Sequence, residues 1–151
     1  MICTNTMHKV FEEIEAQISI PILHIADATA QTLLREKITT VGLLGTRFTM
    51  EQDFYKGRLT EAFGIDVITP GADERALVHE VIYTELCQGV VKPESKARYL
   101  EIIQNLHARG AQAVILGCTE IALLVQQKDT DIPLYDTTGI HARRGVEFAL
   151  S

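Results

Sequence analysis

The sequence predicts an α/β fold with a mostly parallel sheet. Three observations carry that expectation: short apolar runs rich in leucine or β-branched residues, intervening stretches with apolar residues three and four apart, and cap or turn residues where the two patterns meet. In chain order, buried strands are expected at 20–25, 40–44, 65–69, 112–116 and 132–135, because each run is largely apolar, as strands covered on both faces are. Helices are expected between them. Leu77, Val78, Val81, Ile82 and Leu86 form one apolar stripe, and Tyr99, Ile102, Ile103 and Leu106 form another. Asp27, Thr49 and Thr137 can cap helix starts, Pro93 can open a helix, and Gly64 and Gly110 can close helices. Alternation of strand and helix favours right-handed crossovers and therefore parallel pairing.

The 151 residues are 46% hydrophobic and 23% charged, the balance of one soluble globular domain. Such a chain buries roughly 68–70% of its unfolded surface and needs no disulfide or metal to fold. Lys and Arg total 14 against 20 Asp and Glu, a net charge of −6 with no basic block, which argues against nucleic acid as a partner. Apolar runs such as Ala113-Val114-Ile115-Leu116 are too short to span a bilayer, and no targeting segment is evident, so a cytoplasmic protein without membrane contact is expected. Cys3, Cys87 and Cys118 show no CxxC spacing, and the histidines show no metal-ligand spacing, so neither a disulfide framework nor a metal site is expected.

An internal echo adds more. Cys3-Thr4-Asn5, an apolar helix, Ile20-Pro21-Ile22-Leu23-His24 and Asp27-Ala28-Thr29 match Cys118-Thr119-Glu120, an apolar helix, Ile132-Pro133-Leu134-Tyr135-Asp136 and Thr137-Thr138. The second copy has a strand leading into its cysteine, whereas only Met1 and Ile2 precede Cys3. An ordinary strand needs about five or six residues, so an amino-terminal piece is expected to be missing from the first half-unit.

Chemistry is expected at the strand-to-helix turns. At Gly117-Cys118-Thr119-Glu120 a thiol stands where parallel sheets place ligands and where exposed backbone amides would lower its pKa. Cys3-Thr4-Asn5-Thr6-Met7-His8 is dense in small polar groups, and Gly45-Thr46-Arg47-Phe48-Thr49 offers amides and two hydroxyls to a carboxylate. Cys87 is expected in the core beside Ile82 and Leu86. His79 and His107 are read as surface or packing residues, and Asp73-Glu74 and Arg143-Arg144 as solvated helix faces. His24, at a strand end, is a lesser candidate, needed only if Cys118 were the nucleophile of a thiol hydrolase or isomerase.

Cys-Thr-Asn-Thr-Met-His at 3–8, Leu-Leu-Gly-Thr-Arg-Phe-Thr at 43–49 and Gly-Cys-Thr-Glu at 117–120, in that order, resemble the aspartate/glutamate racemase family of cofactor-independent amino-acid racemases. The resemblance covers essentially the whole chain. It implies Rossmann-like α/β lobes related by a pseudo-twofold, with the first lobe incomplete: a remnant at 1–39, then the second lobe with a carboxyl-terminal return segment at 40–151. The family's Gly-Gly-Met-Ser-like loop has no counterpart.

By the same resemblance two acid/base residues face each other across the substrate's α-carbon, one removing and one returning a proton, with no pyridoxal phosphate or other cofactor. Cys118 matches the second catalytic cysteine. The usual first motif is Cys-Asn-Thr, so alignment on Asn5-Thr6 puts Thr4 in the place of the first catalytic cysteine, with Cys3 one residue early. Asn5, Thr6, Thr46, Thr49 and Thr119 would bind the amino and carboxylate groups, and Glu120 would assist Cys118. Neighbours in a strand end point opposite ways, which would keep Cys3 from replacing Thr4. Aspartate-specific relatives carry a lysine near Gln88, so a glutamine there disfavours aspartate. Family members are often dimers, making a homodimer one expectation. The competing expectation is a catalytically inactive remnant or small-ligand-binding module.

Overall fold

The computed structural model describes residues 1–151. From the amino end, a 3₁₀ turn at Thr6–Val10 leads into α1 (Phe11–Glu15), an irregular stretch, and α2 (Ile25–Arg35). There follow β1 (Thr40–Gly45), α3 (Arg47–Glu51), α4 (Asp53–Phe63), β2 (Asp66–Ile68), α5 (Ala72–Thr84), a 3₁₀ turn at Leu86–Gln88 and α6 (Pro93–Ala108). The chain ends with β3 (Ala113–Gly117), α7 (Ile121–Leu124), a 3₁₀ turn at Gln127–Asp129, β4 (Leu134–Asp136) and α8 (Thr137–Leu150).

The four strands pair in parallel in the order β2-β1-β3-β4. β1 and β3 run down the centre, with Val41 opposite Ala113 and Gly45 opposite Gly117. Their side chains alternate between the two faces, as the pleat dictates. Leu44, Val114 and Leu116 pack with Val78, Ile82, Tyr99, Ile103 and Leu106 of α5 and α6. Val41, Leu43 and Ile115 pack on the other face with Leu33, Tyr55 and Leu59 of α2 and α4. Each fully buried aliphatic or aromatic side chain is worth about 1.5–3 kcal/mol, so the middle of the sheet anchors the fold.

The strand expected at 20–25 is absent. Ile20 is exposed, residues 21–24 have no strand partner, and Ile25 already begins α2. A strand exists through its neighbour, and the sheet ends at β4 on that side. All three expected helix-start caps shift as well. His24 caps α2, its Nδ1 accepting from the Ala26 amide at 3.1 Å, while Asp27 stands in the first turn and pairs with Arg58 at 2.8 Å. Thr46, not Thr49, caps α3, and Asp136, not Thr137, caps α8. Pro93 opens α6 and Gly64 closes α4 in the left-handed region, as expected.

No helix is long and apolar enough to cross a membrane. α2 and α8, the helices that follow the two halves of the echo, both frame the same groove, which Ala28, Thr32 and Ile140 line.

Candidate active site

In a parallel sheet a crevice opens beyond the carboxyl ends of two strands whose connections run to opposite sides. Here those strands are β1 and β3, since β1 connects outward to β2 and β3 to β4. Both end on glycine. A β-carbon at Gly45 would meet the Gly117 carbonyl at 3.0 Å, and one at Gly117 would meet the Leu44 carbonyl at 2.8 Å. The close approach lets Thr46 and Cys118 leave adjacent strand ends together.

A cleft of about 450 Å³ lies there. Thr46, Cys118, Thr119 and Glu120 line it from the strand ends, and Cys3, Thr4, Asn5 and Thr6 from the amino-terminal turn. The structure therefore gathers eight of the nine residues singled out in the sequence. Thr49, the ninth, is fully buried behind Thr46. Its hydroxyl lies 3.3 Å from that of Thr46, which lies 3.3 Å from that of Thr6, a row of three hydroxyls leading into the cleft.

Cys118 departs from expectation. The residues after it form a turn, and α7 is a single turn starting at Ile121, so no long helix aims its amides at the sulfur. Instead the Sγ–H donates to Glu120 Oε2 at 3.0 Å. Burial, reinforced by that hydrogen bond to a carboxylate, pushes the Cys118 thiol up to about 12. The resting sulfur is a protonated acid rather than a thiolate.

Asn5 is almost fully buried. Its Nδ2 donates to Thr137 Oγ1 at 3.0 Å, and Thr137 Oγ1 donates to the Leu116 carbonyl at 3.0 Å. Because the threonine's single proton is committed to Leu116, Thr137 must accept from Asn5, which fixes the amide's orientation. Asn5 Oδ1 is left without a partner. A buried orphan acceptor beside a cleft is suited to a donor arriving with a ligand.

Residues 1–4 form no strand, so the alternation expected to separate Cys3 from Thr4 does not apply. Both line the cleft. Cys87 is exposed rather than in the core. α5 stops at Thr84, and the tighter Leu86–Gln88 turn, closed by Gly89 at φ 74°, buries Leu86 and swings Cys87 onto the cleft rim. It is Cys87 that lines the cleft; Gln88 does not. Met7, Ile82 and Tyr83 complete the lining and were not singled out as site residues in the sequence.

Behind the turn, His8, His24 and His141 are buried together, the His8 ring centre 4.4 Å from that of His24 and 5.9 Å from that of His141. His8 Nε2 accepts from the Ile25 amide at 3.1 Å, so its Nδ1 carries the proton that bonds the Thr4 carbonyl at 2.9 Å. Burial holds all three below the usual imidazole range, His24 at about 3. His24 lines a separate depression with Phe11 and Arg58, which removes it as a base for Cys118. His107 packs locally, Nδ1 lying 2.8 Å from the Ala111 carbonyl. Glu74 is no mere solvated residue: it caps α5 through the Gly71 amide and accepts from Asn105.

The family model for Asp/Glu/hydantoin racemase matches residues 1–145. A crystal structure from Yersinia pestis, described as that of a candidate Asp/Glu racemase, superposes with a TM-score of 0.94 at 52% identity, covering 99% of this chain and 65% of that one. An aspartate racemase homologue from Pyrococcus horikoshii OT3 superposes with a TM-score of 0.87 at 34% identity, covering 98% and 65%. The broad specificity amino-acid racemase RacX of Bacillus subtilis (strain 168) is 24% identical over 150 residues, 97% of this chain and 63% of RacX. The chain thus spans just under two thirds of the length of these relatives.

Proposed function

The chain belongs to the Asp/Glu/hydantoin racemase family, and we propose that its cleft removes and returns the α-proton of a free amino acid without pyridoxal phosphate. The observation that carries this reading is the juxtaposition of Cys118, bonded to Glu120, with the Cys3–Thr6 turn across one cleft. Relatives described as Asp/Glu and broad specificity amino-acid racemases support the substrate class.

The residues suggest a division of labour. The Thr6 and Thr46 hydroxyls receive the substrate carboxylate, where charge develops as the α-carbon loses its proton. Asn5 Oδ1 and the Glu120 carboxylate receive the ammonium. Cys118, protonated at rest, returns a proton to one face while Cys3, once deprotonated, takes the α-proton from the other; the electron pair of the broken C–H bond delocalises into the carboxylate meanwhile. In the reverse direction Cys118 must first lose its proton, and Glu120 is the acceptor in place. An ammonium beside Glu120 offsets the negative charge that raises the thiol pKa, so substrate binding itself makes Cys118 a more accessible base. Thr4 is too weak an acid to form an oxyanion near neutrality, and it serves as a hydrogen-bonding neighbour.

One observation favours the alternative of binding without turnover: the position aligned with the first catalytic cysteine holds Thr4, opposite a thiol that is protonated at rest. The two readings separate by proton NMR of L- and D-amino acids in D₂O. Loss of the α-proton signal that disappears with Cys118→Ser is expected; a folded protein that binds amino acids but exchanges none would establish the binding module.

A further inference from the structure

We propose that His8 is the residue that positions the Cys3–Thr6 turn across from Cys118, and that it does so only while its ring is neutral, so that acid releases one side of the cleft and leaves the other in place. The inference rests on the reading of the cleft as an α-proton exchange site and adds a positioning residue to it.

The first argument is what the residue joins. Its backbone amide donates to the Asn5 carbonyl at 3.1 Å, and its Nδ1–H donates to the Thr4 carbonyl at 2.9 Å. Its Nε2 accepts from the amide of Ile25, the first residue of α2, at 3.1 Å. One buried side chain thus ties two successive carbonyls of the turn to a helix that packs in the core against β1 and β3. Thr4, Asn5 and Thr6 line the cleft from that turn, and His8 stands behind them. His8 therefore acts through the turn rather than on the reacting atoms.

The second argument is what the ring cannot do in this place. An imidazolium carries a proton on both nitrogens, so protonation sets an N–H of His8 against the Ile25 N–H and breaks the tie to α2. His24 is arranged in the same way, its Nδ1 accepting from the next amide, that of Ala26, at 3.1 Å. Two neighbouring rings therefore accept from successive amides at the start of one helix, and a proton on either ring strikes the same junction. The surroundings do not favour that proton. Phe11 of α1 stacks on His8 with ring centres 6.2 Å apart, and His141 of α8 lies on another side at 5.9 Å. Burial is the largest influence holding His8 neutral; His141 and Arg58 of α4 add to it, while the bond to the Thr4 carbonyl opposes it. Asp27 of α2 is the carboxylate beside the cluster, and Arg58 occupies both of its oxygens. Glu12 and Glu15 of α1 bear on that same Arg58. The Cys118 side is held differently, by the backbone pairing of β3 with β1 and β4, which involves no titrating group.

The test uses the full chain and two substitutions. His8→Leu keeps bulk and loses both ring bonds; His8→Gln supplies one donor and one acceptor that do not titrate. At pH 7, His8→Leu is expected to slow α-proton exchange at least tenfold, more for the enantiomer that Cys3→Ser disables than for the other, and His8→Gln to recover most of the loss. Exchange of both enantiomers by His8→Leu at the parent's rate, or an equal loss for both that His8→Gln does not recover, overturns the positioning role. The Ile25 amide reads the tie without activity. Its hydrogen-exchange protection, corrected for intrinsic rates, is expected to fall at least tenfold between pH 7 and 5 in the parent and at least three times less in His8→Gln; the same fall in both overturns the acid release. Nitrogen NMR of the parent's histidine rings at pH 7 is expected to find the His8 proton on Nδ1, and a proton on Nε2 overturns the arrangement even where His8→Leu does not fold. Failure of the parent to exchange any amino acid defeats the racemase reading, while the Ile25 amide and the ring proton still decide the tie.

Discussion

The two sides of the cleft are built to different standards. Cys118 stands at the end of a central strand whose five residues are all buried, and its thiol is tied to a carboxylate two residues on. Cys3 and Thr4, opposite, are exposed on a segment without a strand, held from behind by a single histidine bond to the Thr4 carbonyl. The same Cys-Thr pair thus occupies a rigid setting and an adjustable one. A reaction that needs two acid/base groups around one carbon can tolerate this asymmetry if the rigid side fixes the substrate and the loose side adapts to it.

The largest expected effect tests which side dominates. Cys118→Ser should lower α-proton exchange for both enantiomers by about 10²–10⁴, the usual contribution of a positioned acid/base group, whereas Cys3→Ser should do so for one enantiomer only; equal losses in both variants would erase the asymmetry. Next comes stability. Ile115→Ala, in the middle of β3, should cost about 2–5 kcal/mol in urea unfolding, because Ile115 is fully enclosed by β1, α2 and α4 neighbours.

A third measurement addresses the loose side through pH. His8, His24 and His141 have depressed pKa values in the folded chain, chiefly through burial, although Asp27, 4.0 Å from His24, opposes the shift there. The unfolded chain takes up these protons near pH 6.5, so the stabilisation is complete above about pH 6.5 and is lost as the pH falls toward the native values. Hydrogen exchange corrected for intrinsic rates should show 5–25 losing protection between pH 7 and 5 while 113–117 keeps it. The smallest effect is local. Glu120→Gln removes the carboxylate that favours the protonated thiol, so thiolate absorbance in a Cys3→Ser/Cys87→Ser background should show Cys118 titrating below about 12.

What the sequence disclosed follows from what is local. The runs at β1 and β3 were legible because a strand covered on both faces must be apolar throughout, and the polar residues of the cleft because three short motifs carried them. The run at 20–25 misled because pairing depends on a neighbour that no local pattern encodes. Cys87 misled for a related reason: a helical stripe continued through Leu86 in sequence, but the helix had already tightened into a 3₁₀ turn. The histidine cluster was hidden because its members come from three segments and share no spacing. The Cys118 shift reversed because burial and the Glu120 carboxylate outweigh the backbone amides at the strand end.

The bond between Asn5 and Thr137 has a consequence for the order in which the protein is made. It joins the fifth residue to one 132 positions later, and through Thr137 to the backbone of β3. A ribosome delivers β1, and with it the Thr46 turn, long before it delivers Thr137, the residue that directly follows β4. Until then Asn5 lacks its partner, and closing so long a loop is entropically costly. The turn that faces Cys118 is therefore synthesised ahead of β1 yet settles only once the last strand of the sheet and the start of α8 have emerged.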